Sequence, residues 1–364
     1  MQSLWQNLKK PIIGLSPMDG ITDYAFREIH AKYGKPDIML TEFTNVEGMF
    51  LGNNHLFNDL LYSPLQGPMI AQIFGSTPEY FYKAAIVCCE LGFDGIDINM
   101  GCPAKTVAHL GGGAALIAKP KLAQEIIYSV KQGVADWSNG KKVNELGLDE
   151  SKLALIESMK SFAQIKDSSS NRMQIPVSVK TRIGVDEIVI EDWVQTLLET
   201  EVQNISIHGR TLKQMYSGKS NWEAIAKAAI IIKQTRTTVL GNGDIESLPD
   251  AHNKIKEYNV DGVLIGRSAM GNPFLWQNKT PNPQQKLNLA LEHAQIHSTV
   301  KNEKMFLQMR KHFSFYISNY YNSTETKIKL LQTSNFTQAH KIITKELDRI
   351  AQEQNLESEN AFSN

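Results

Sequence analysis

Cysteine is scarce in this chain of 364 residues, with only Cys88, Cys89 and Cys102. Three thiols cannot build a disulfide framework, and they suit a reducing cytoplasm. Long apolar runs are missing too. A membrane helix needs roughly 20 apolar residues, and the richest stretch here, 224–232, is short and broken by a lysine. No membrane association is expected. The opening ten residues carry two lysines, but the apolar run behind them stops at Asp19, too short for a secretory signal. Net charge is also absent, since Lys+Arg and Asp+Glu both number 38. No overall field draws in a polyanion, so a nucleic-acid partner requires a local basic patch. What is present is an ordinary globular composition, 42% hydrophobic and 21% charged. That is enough to bury a full core and excludes disorder across the whole chain.

Short β-rich runs recur between helical stretches at 12–18, 37–43, 68–74, 95–100, 176–182, 204–208, 237–242 and 261–267. They are almost continuously apolar, as strands covered on both faces must be. Helix start signals lie between them. Ser76-Thr77-Pro78-Glu79 precedes a helix through Leu91, Pro120 stands where a first-turn proline belongs, and Asn221 is placed to cap a helix over 222–232. Eight β/α alternations predict an α/β fold, a (β/α)8 TIM barrel, with a doubly wound open sheet as the alternative. The strand ends favour the barrel. Their C-terminal ends carry Pro17-Met18-Asp19, Glu42, Gln72, Asn99 to Cys102, Lys180 with Arg182, His208, Asn242-Gly243-Asp244 and Gly266-Arg267, while the opposite ends are bland. Barrel enzymes gather their chemistry on that C-terminal rim.

The last two strand ends point to a phosphate site. Gly243 and Gly266 allow close backbone approach, with Arg267 beside them, and the loops after strands seven and eight are the usual phosphate site of this fold. The loop after strand four is Asn99-Met100-Gly101-Cys102-Pro103-Ala104-Lys105, followed by Gly111-Gly112-Gly113, which suits a mobile cover. Cys102 has no CxxC partner, and one nearby His109 does not make a site, so no metal centre is expected. An unshifted thiol, with a pKa of about 8.5, is mostly protonated at neutral pH, which suits a general acid. Lys105 is positioned to lower that value, so the residues alone leave nucleophile and acid both open. Cys88 and Cys89 lie within a helix, where at least one should face the core as a small apolar residue, and no function is assigned to them.

Taken together, these segments resemble the tRNA-dihydrouridine synthase family. The matching pieces are Ser16-Pro17-Met18-Asp19-Gly20-Ile21-Thr22-Asp23, Ile96-Asp97-Ile98-Asn99-Met100-Gly101-Cys102-Pro103 and Lys180-Thr181-Arg182-Ile183-Gly184. Ile207-His208-Gly209-Arg210-Thr211, Gly241-Asn242-Gly243-Asp244-Ile245 and Ile265-Gly266-Arg267 follow in family order. The resemblance implies an FMN enzyme reduced by NADPH that passes hydride to C6 of a uracil in tRNA while a cysteine protonates C5. On matching positions it implies FMN contacts from Pro17, Met18, Asp19, Gln72, Lys180, His208, Asn242, Gly243, Asp244, Gly266 and Arg267. Cys102 is the implied proton donor, and Asn99, Arg182 and Lys105 the implied contacts to substrate. Asp19 departs from the small residue that relatives often carry there.

After Trp276 comes a linker over 278–285 with two prolines, Pro281 and Pro283, and then a purely helical pattern over 286–352. Phe306, Met309, Phe313, Tyr316 and Tyr320 recur at helical spacing and read as core, as do Phe336, Ala339, Ile343 and Leu347. Between 286 and 349 there are ten Lys/Arg against five Asp/Glu, a basic piece of an otherwise neutral protein. Met309-Arg310-Lys311-His312 with Tyr316 resembles a segment of the family's helical domain, which implies that Arg310 and Lys311 contact tRNA. The barrel is expected over 1–277, with a peripheral insert at 137–174 that includes a helix over 151–165 and a loop at 167–171, and a disordered tail from 353. No obligate protein partner is evident. The rival readings are an FMN barrel reductase of a free small molecule and a non-catalytic RNA-binding barrel.

Overall fold

The structure, a computed structural model, describes residues 4–52, 54–104, 107, 111–165, 172–301, 303–318 and 320–362. It divides into two compact units, one formed by Met1–Asp19 with Pro36–Gly266 and the other by Gly20–Lys35 with Arg267–Asn364.

The first unit is built on a wholly parallel sheet of β1 (Ile12–Leu15), β2 (Met39–Leu40), β3 (Thr44–Asn45), β4 (Met69–Phe74), β5 (Gly95–Met100), β6 (Val177–Arg182), β7 (Asn204–His208), β8 (Thr238–Asn242) and β9 (Gly262–Ile265). Neighbours run from β1 through β9 and β8 down to β4, and the pairing of β2 with both β1 and β4 closes the ring. The result is the closed eight-stranded barrel and not an open sheet. β2 and β3 share one barrel position. Where the strand is interrupted between them, Thr41 Oγ1 accepts the Gln72 N–H at 2.9 Å, filling a ladder bond the backbone leaves unmade. Strand burial is almost unbroken, which explains the continuous apolar runs.

The barrel floor is filled by hydrocarbon. Trp5, from the short helix Leu4–Asn7, packs with Ile12, Ile38, Leu40, Ile70, Leu240 and Leu264. Polar side chains are thereby left to the other rim. Of the helix signals, Pro78 and Pro120 open the helices Pro78–Glu90 and Pro120–Ser138, and Asn221 Oδ1 accepts the Ala224 N–H at 2.9 Å. Thr77 does not cap with its own hydroxyl. Glu47 instead reaches over, its carboxylate accepting the N–H groups of Ser76 at 2.7 Å and Thr77 at 2.9 Å. Cys88 and Cys89 are buried free thiols, and burial raises Cys88 to about 12. The insert carries the helix Glu150–Phe162, close to the expected one. Its expected loop at 167–171 lies outside the described residues.

The second unit is helical, with Tyr24–Tyr33, Pro283–Val300, Met309–Tyr316, Ser323–Leu331 and Phe336–Phe362 around one core. Ile29 joins Leu287, Phe306, Met309, Phe313, Tyr316, Leu330, Ala339 and Ile343 in that core. This explains why Gly20–Lys35, which falls within the span expected for the barrel, groups with the C-terminal helices. Its apolar face is completed by residues far along the chain. The linker is shorter than expected at its far end, because Asn282 and Gln285 form a reciprocal cap that starts the helix at Pro283. The last helix runs to Phe362, well into the stretch expected to be disordered, as a segment rich in Gln, Glu, Ala and Leu readily permits.

The β1–β9 seam supplies a stability test. A Cβ on Gly262 falls 2.0 Å from the Ile12 carbonyl oxygen, a backbone atom that cannot yield without opening the ladder. Gly262→Ala is expected to lower unfolding stability by about 2–3 kcal/mol in a denaturant titration. An unchanged midpoint would show that the seam can widen freely.

Candidate active site

The strand ends of the first unit converge on a chain of buried polar groups. It begins at Asp97 on β5, fully buried, whose carboxylate accepts from Ser178 Oγ and from Gln72 Nε2, each at 2.7 Å. Gln72 Oε1 then accepts from Asn99 Nδ2 at 3.1 Å, and Asn99 Oδ1 accepts the N–H groups of Gly101 at 3.0 Å and Cys102 at 2.8 Å. Each amide uses one end on the core side and the other toward the rim. Three strands thus fix the backbone that carries Cys102. Ala114 N–H donates to the Cys102 carbonyl at 3.2 Å and binds the glycine-rich return of the loop to the same point. The space is tight, since a Cβ on Gly112 would lie 2.6 Å from the Gly75 carbonyl oxygen.

Cys102 is 8% exposed and packs with Phe74 and Val107. Burial raises its thiol above the ordinary cysteine value, and the Asp19 carboxylate adds to the effect. The Ala104 N–H and the Arg182 and Lys180 cations pull the other way without prevailing. The raised value keeps the thiol protonated at neutral pH, the state that a general acid requires. Asp19 itself is exposed at the end of β1. Lys105 and His109 lie outside the described residues.

Lys180 on β6 is a half-buried cation of the site, beside the buried Arg182. Its ammonium donates to Asn242 Oδ1 at 3.2 Å, while Asn242 Nδ2 donates to the Leu264 carbonyl at 2.7 Å. Burial, with Arg182 nearby, lowers Lys180 to about 8. Arg182 is occupied differently from its sequence expectation. Its Nε donates to the Gly101 carbonyl at 2.6 Å, and a terminal nitrogen donates to Thr211 and Met215 carbonyls, each at 3.1 Å. Those bonds make Arg182 a brace for the Cys102 loop.

The end of β8 shows a second arrangement that sequence reading did not single out. Arg210, 2% exposed, grips both Asp244 oxygens at 2.9 and 2.7 Å, and Ser220 N–H donates to the same carboxylate at 2.8 Å. Asp244, expected as a cofactor contact, thus has its side chain engaged within the protein. Arg210 also stands 3.3 Å from His208 Nε2, so it orients that ring. Between them Gly243 adopts φ +125°, where a Cβ would lie 2.1 Å from Ser220 Oγ. Only glycine fits there, which leaves its backbone open to close approach. Gly266 follows β9, with Met18 Sδ 3.3 Å from the place of its missing Cβ, so the ends of β1 and β9 meet. Pro17 and Met18 are half-buried beside them. Arg267, Arg310 and Lys311 belong to the helical unit. Arg310 donates to the Thr333 carbonyl at 3.0 Å and the Gln332 carbonyl at 3.3 Å, and so ties two helices together.

Sequence reading missed Asp97 and Arg210 as determinants of the site. Each stood inside a quoted motif, and each acts through another side chain. The signal for Asp97 was an acid within an otherwise apolar strand.

A buried thiol held by an amide chain, a half-buried lysine and a glycine-opened rim gather at the C-terminal ends of the strands of a (β/α)8 barrel, the face on which barrel enzymes carry their chemistry. The family described as Dihydrouridine synthase (Dus) matches residues 14–163 and 149–356, and the chain belongs to it. It is 30% identical over 355 residues to a probable tRNA-dihydrouridine synthase of Staphylococcus aureus (strain Mu50 / ATCC 700699), covering 94% of this chain and 95% of that one. It is 29% identical over 347 residues to the probable tRNA-dihydrouridine synthase 2 of Bacillus subtilis (strain 168), covering 92% and 93%. Among solved structures, an old yellow enzyme homologue from Zymomonas mobilis is similar at a TM-score of 0.43 and 12% identity, over 76% of this chain and 92% of that one. DHODH from Eimeria tenella gives a TM-score of 0.39 at 12% identity, over 64% and 58%. At these scores neither bears on the chemistry.

Asp97 makes the site's foundation sensitive to pH. Burial raises its carboxyl from 3.8 to about 6 against the pull of Ser178, Gln72 and Lys180. A raised carboxyl holds more protons folded than unfolded, so its stabilisation is complete below about pH 4 and lost as pH rises through about 6. Asp97→Asn does not ionise. Between about pH 4 and about pH 7 the variant is expected to gain on the parent by about 3 kcal/mol, read from urea midpoints of the ligand-free protein. Parallel pH profiles would refute the shifted carboxyl.

Proposed function

We propose that the protein is a tRNA-dihydrouridine synthase that reduces the C5–C6 double bond of particular uridines in tRNA, with FMN as cofactor and NADPH as reductant. The observation that carries this reading is the buried, protonated Cys102 thiol, fixed by Asn99 at the rim of the barrel. The family's relatives are named for the same reaction.

The residues present suit a flavin mononucleotide. Gly243 and Gly266 leave backbone open where a phosphate would approach, and Gln72 and Asn242, each tied at both ends within the protein, are the polar groups the family resemblance brings to the flavin. Lys180 is a half-buried cation suited to offset the negative charge that a flavin gains on reduction. Pro17 and Met18 supply an apolar and polarisable edge. His208, oriented by Arg210, is a further contact, and Asp244 contributes through backbone, its carboxylate being held by Arg210. When bound, the reduced flavin supplies a hydride to C6 of the uracil.

The protein's own part is the proton. Cys102 Sγ–H donates to C5 as electrons move onto that carbon, so the two hydrogens added are one hydride and one proton, and the thiolate left behind regains its proton from solvent. Lys180 and Arg182, both acting electrostatically on the sulfur, stabilise that transient negative charge. Asn99 and Arg182 hold the loop in place during transfer, and the family resemblance implies a contact from Asn99 to the uracil. A uracil within folded tRNA must be unstacked to reach such a site. The helical unit supplies the basic residues for the tRNA backbone, with Lys311 as the first candidate. The cytoplasm, where tRNA is processed and thiols stay reduced, is the proposed location.

Loss of the donor gives the first test. Cys102→Ala is expected to retain flavin and tRNA but to form dihydrouridine about 10² to 10⁴ times more slowly. Dihydrouridine is counted in treated tRNA by mass spectrometry, and free uridine is offered in parallel. Unchanged turnover would remove Cys102 from the mechanism, and equal reduction of free uridine would favour a small-molecule reductase. A protein that retains no flavin would favour the RNA-binding reading.

The helical unit gives the second test. Lys311→Glu is expected to weaken tRNA binding and reduce its salt slope by roughly one contact. Arg310→Glu is expected also to lower the unfolding midpoint, since its guanidinium holds the Thr333 and Gln332 carbonyls. If Lys311→Glu leaves affinity and slope unchanged, the main grip on tRNA lies elsewhere.

A further inference from the structure

Within the helical unit, three histidines and one aspartate meet in the core. Asp23 caps the helix Tyr24–Tyr33, its Oδ1 accepting the Phe26 N–H at 3.0 Å, and its Oδ2 stands 3.0 Å from the Lys301 ammonium. His293 and His312 are wholly buried, with ring centroids 4.5 Å apart. One ligand atom each from Asp23, His293 and His312 lies within 4.8 Å of the other two, the one such group among the described residues. Neither ring nitrogen of His312 has a hydrogen-bond partner, nor has Nε2 of His293. Unpartnered polar atoms in so apolar a core cost free energy and call for an explanation.

His293 is set up as a ligand would be. Its Nδ1 is 3.0 Å from the Tyr316 hydroxyl, which fixes the ring and leaves Nε2 for the cluster. A metal-bound histidine characteristically has its other nitrogen engaged in this way. His297 stands beside them, with Nε2 4.0 Å from Asp23 Oδ2. It also lines a cleft of about 220 Å³ with Ser298, Glu303, Phe306 and Asn335, which offers a way in.

We propose that Asp23, His293 and His312 bind a divalent transition metal, zinc by its preference for nitrogen and carboxylate donors, as a structural centre of the helical unit. His297 or water completes four-coordination. A tetrahedral zinc site with N and O ligands has edges of roughly 3.4 Å, so the 4.8 Å spread closes by turning the two rings inward. Lys301 is the cation now facing Asp23, and the metal takes its place while the lysine, on a flexible stem, turns to solvent. Burial pushes His312 down to about 4 and His293 well below its ordinary value. Both rings are thus neutral, as ligands must be. This centre is independent of the flavin reading. It departs from the sequence expectation of no metal set, which considered only the surroundings of Cys102.

The test uses the full, untagged chain after treatment with a chelator. Titration with Co2+ is expected to give visible ligand-field bands of a tetrahedral site that saturate at one equivalent and vanish on adding Zn2+. His293→Gln and His312→Gln are expected to abolish the bands, while the exposed His340→Gln leaves them unchanged. Tyr316→Phe, which keeps the ring and all ligands, is expected to weaken binding about 10- to 100-fold. That variant also keeps the proposal testable if the histidine variants fold poorly. No bands with excess Co2+, or bands that survive in both His293→Gln and His312→Gln, would overturn it. Flavin content and turnover are measured separately, so failure of this centre is distinguishable from failure of the enzyme reading.

Discussion

The arrangement of the site rests on one buried carboxylate. Asp97 is closed off inside a parallel barrel whose strands are otherwise apolar, with Ser178 and Gln72 as its direct hydrogen-bond donors. A polar group in that setting must be satisfied, and satisfying it orients Gln72. Gln72 then orients Asn99, and Asn99 holds the backbone of Cys102. The energetic cost of an unmatched group at any link is what keeps the rim residues in register, so the chain transmits rigidity from the barrel interior to the reactive sulfur.

Charge at the rim follows a related logic. Two cations, Lys180 and Arg182, act on the thiol, yet burial and the Asp19 carboxylate outweigh them and keep it protonated. In the proposed reaction the same cations would partly offset the cost that burial places on the thiolate. Burial also lowers Lys180 to about 8, so this lysine too is poised near the working range.

The fold was largely legible because its signals are local. Continuous apolar runs, first-turn prolines at 78 and 120, and the Asn221 cap each act within a few residues, and every observed strand but the two-residue β3 falls inside an expected span. The missed features depend on distance. The helix Tyr24–Tyr33 follows the first strand and looks like a barrel helix, but Ile29 completes a core made by residues beyond 286. Arg210 and Arg182 carried the charge expected of ligand contacts, and only the structure shows them engaged with Asp244 and with backbone carbonyls. The Asp23, His293 and His312 group was illegible for the same reason, since its members are joined by the packing of two distant helical segments.

That packing also changes the meaning of the basic composition between 286 and 349. Several of its cations serve the unit itself: Lys301 faces Asp23, Arg310 holds two carbonyls, Lys329 pairs with Glu325, and Arg349 bridges Glu346 and Glu353. A count of charges therefore overstates the field offered to a polyanion. A metal in the histidine cluster would release Lys301 from Asp23, linking the state of the core to the charge presented outside. In such an arrangement the ion that completes the fold would also adjust the electrostatic attraction for nucleic acid, through one lysine whose stem is long enough to serve either role.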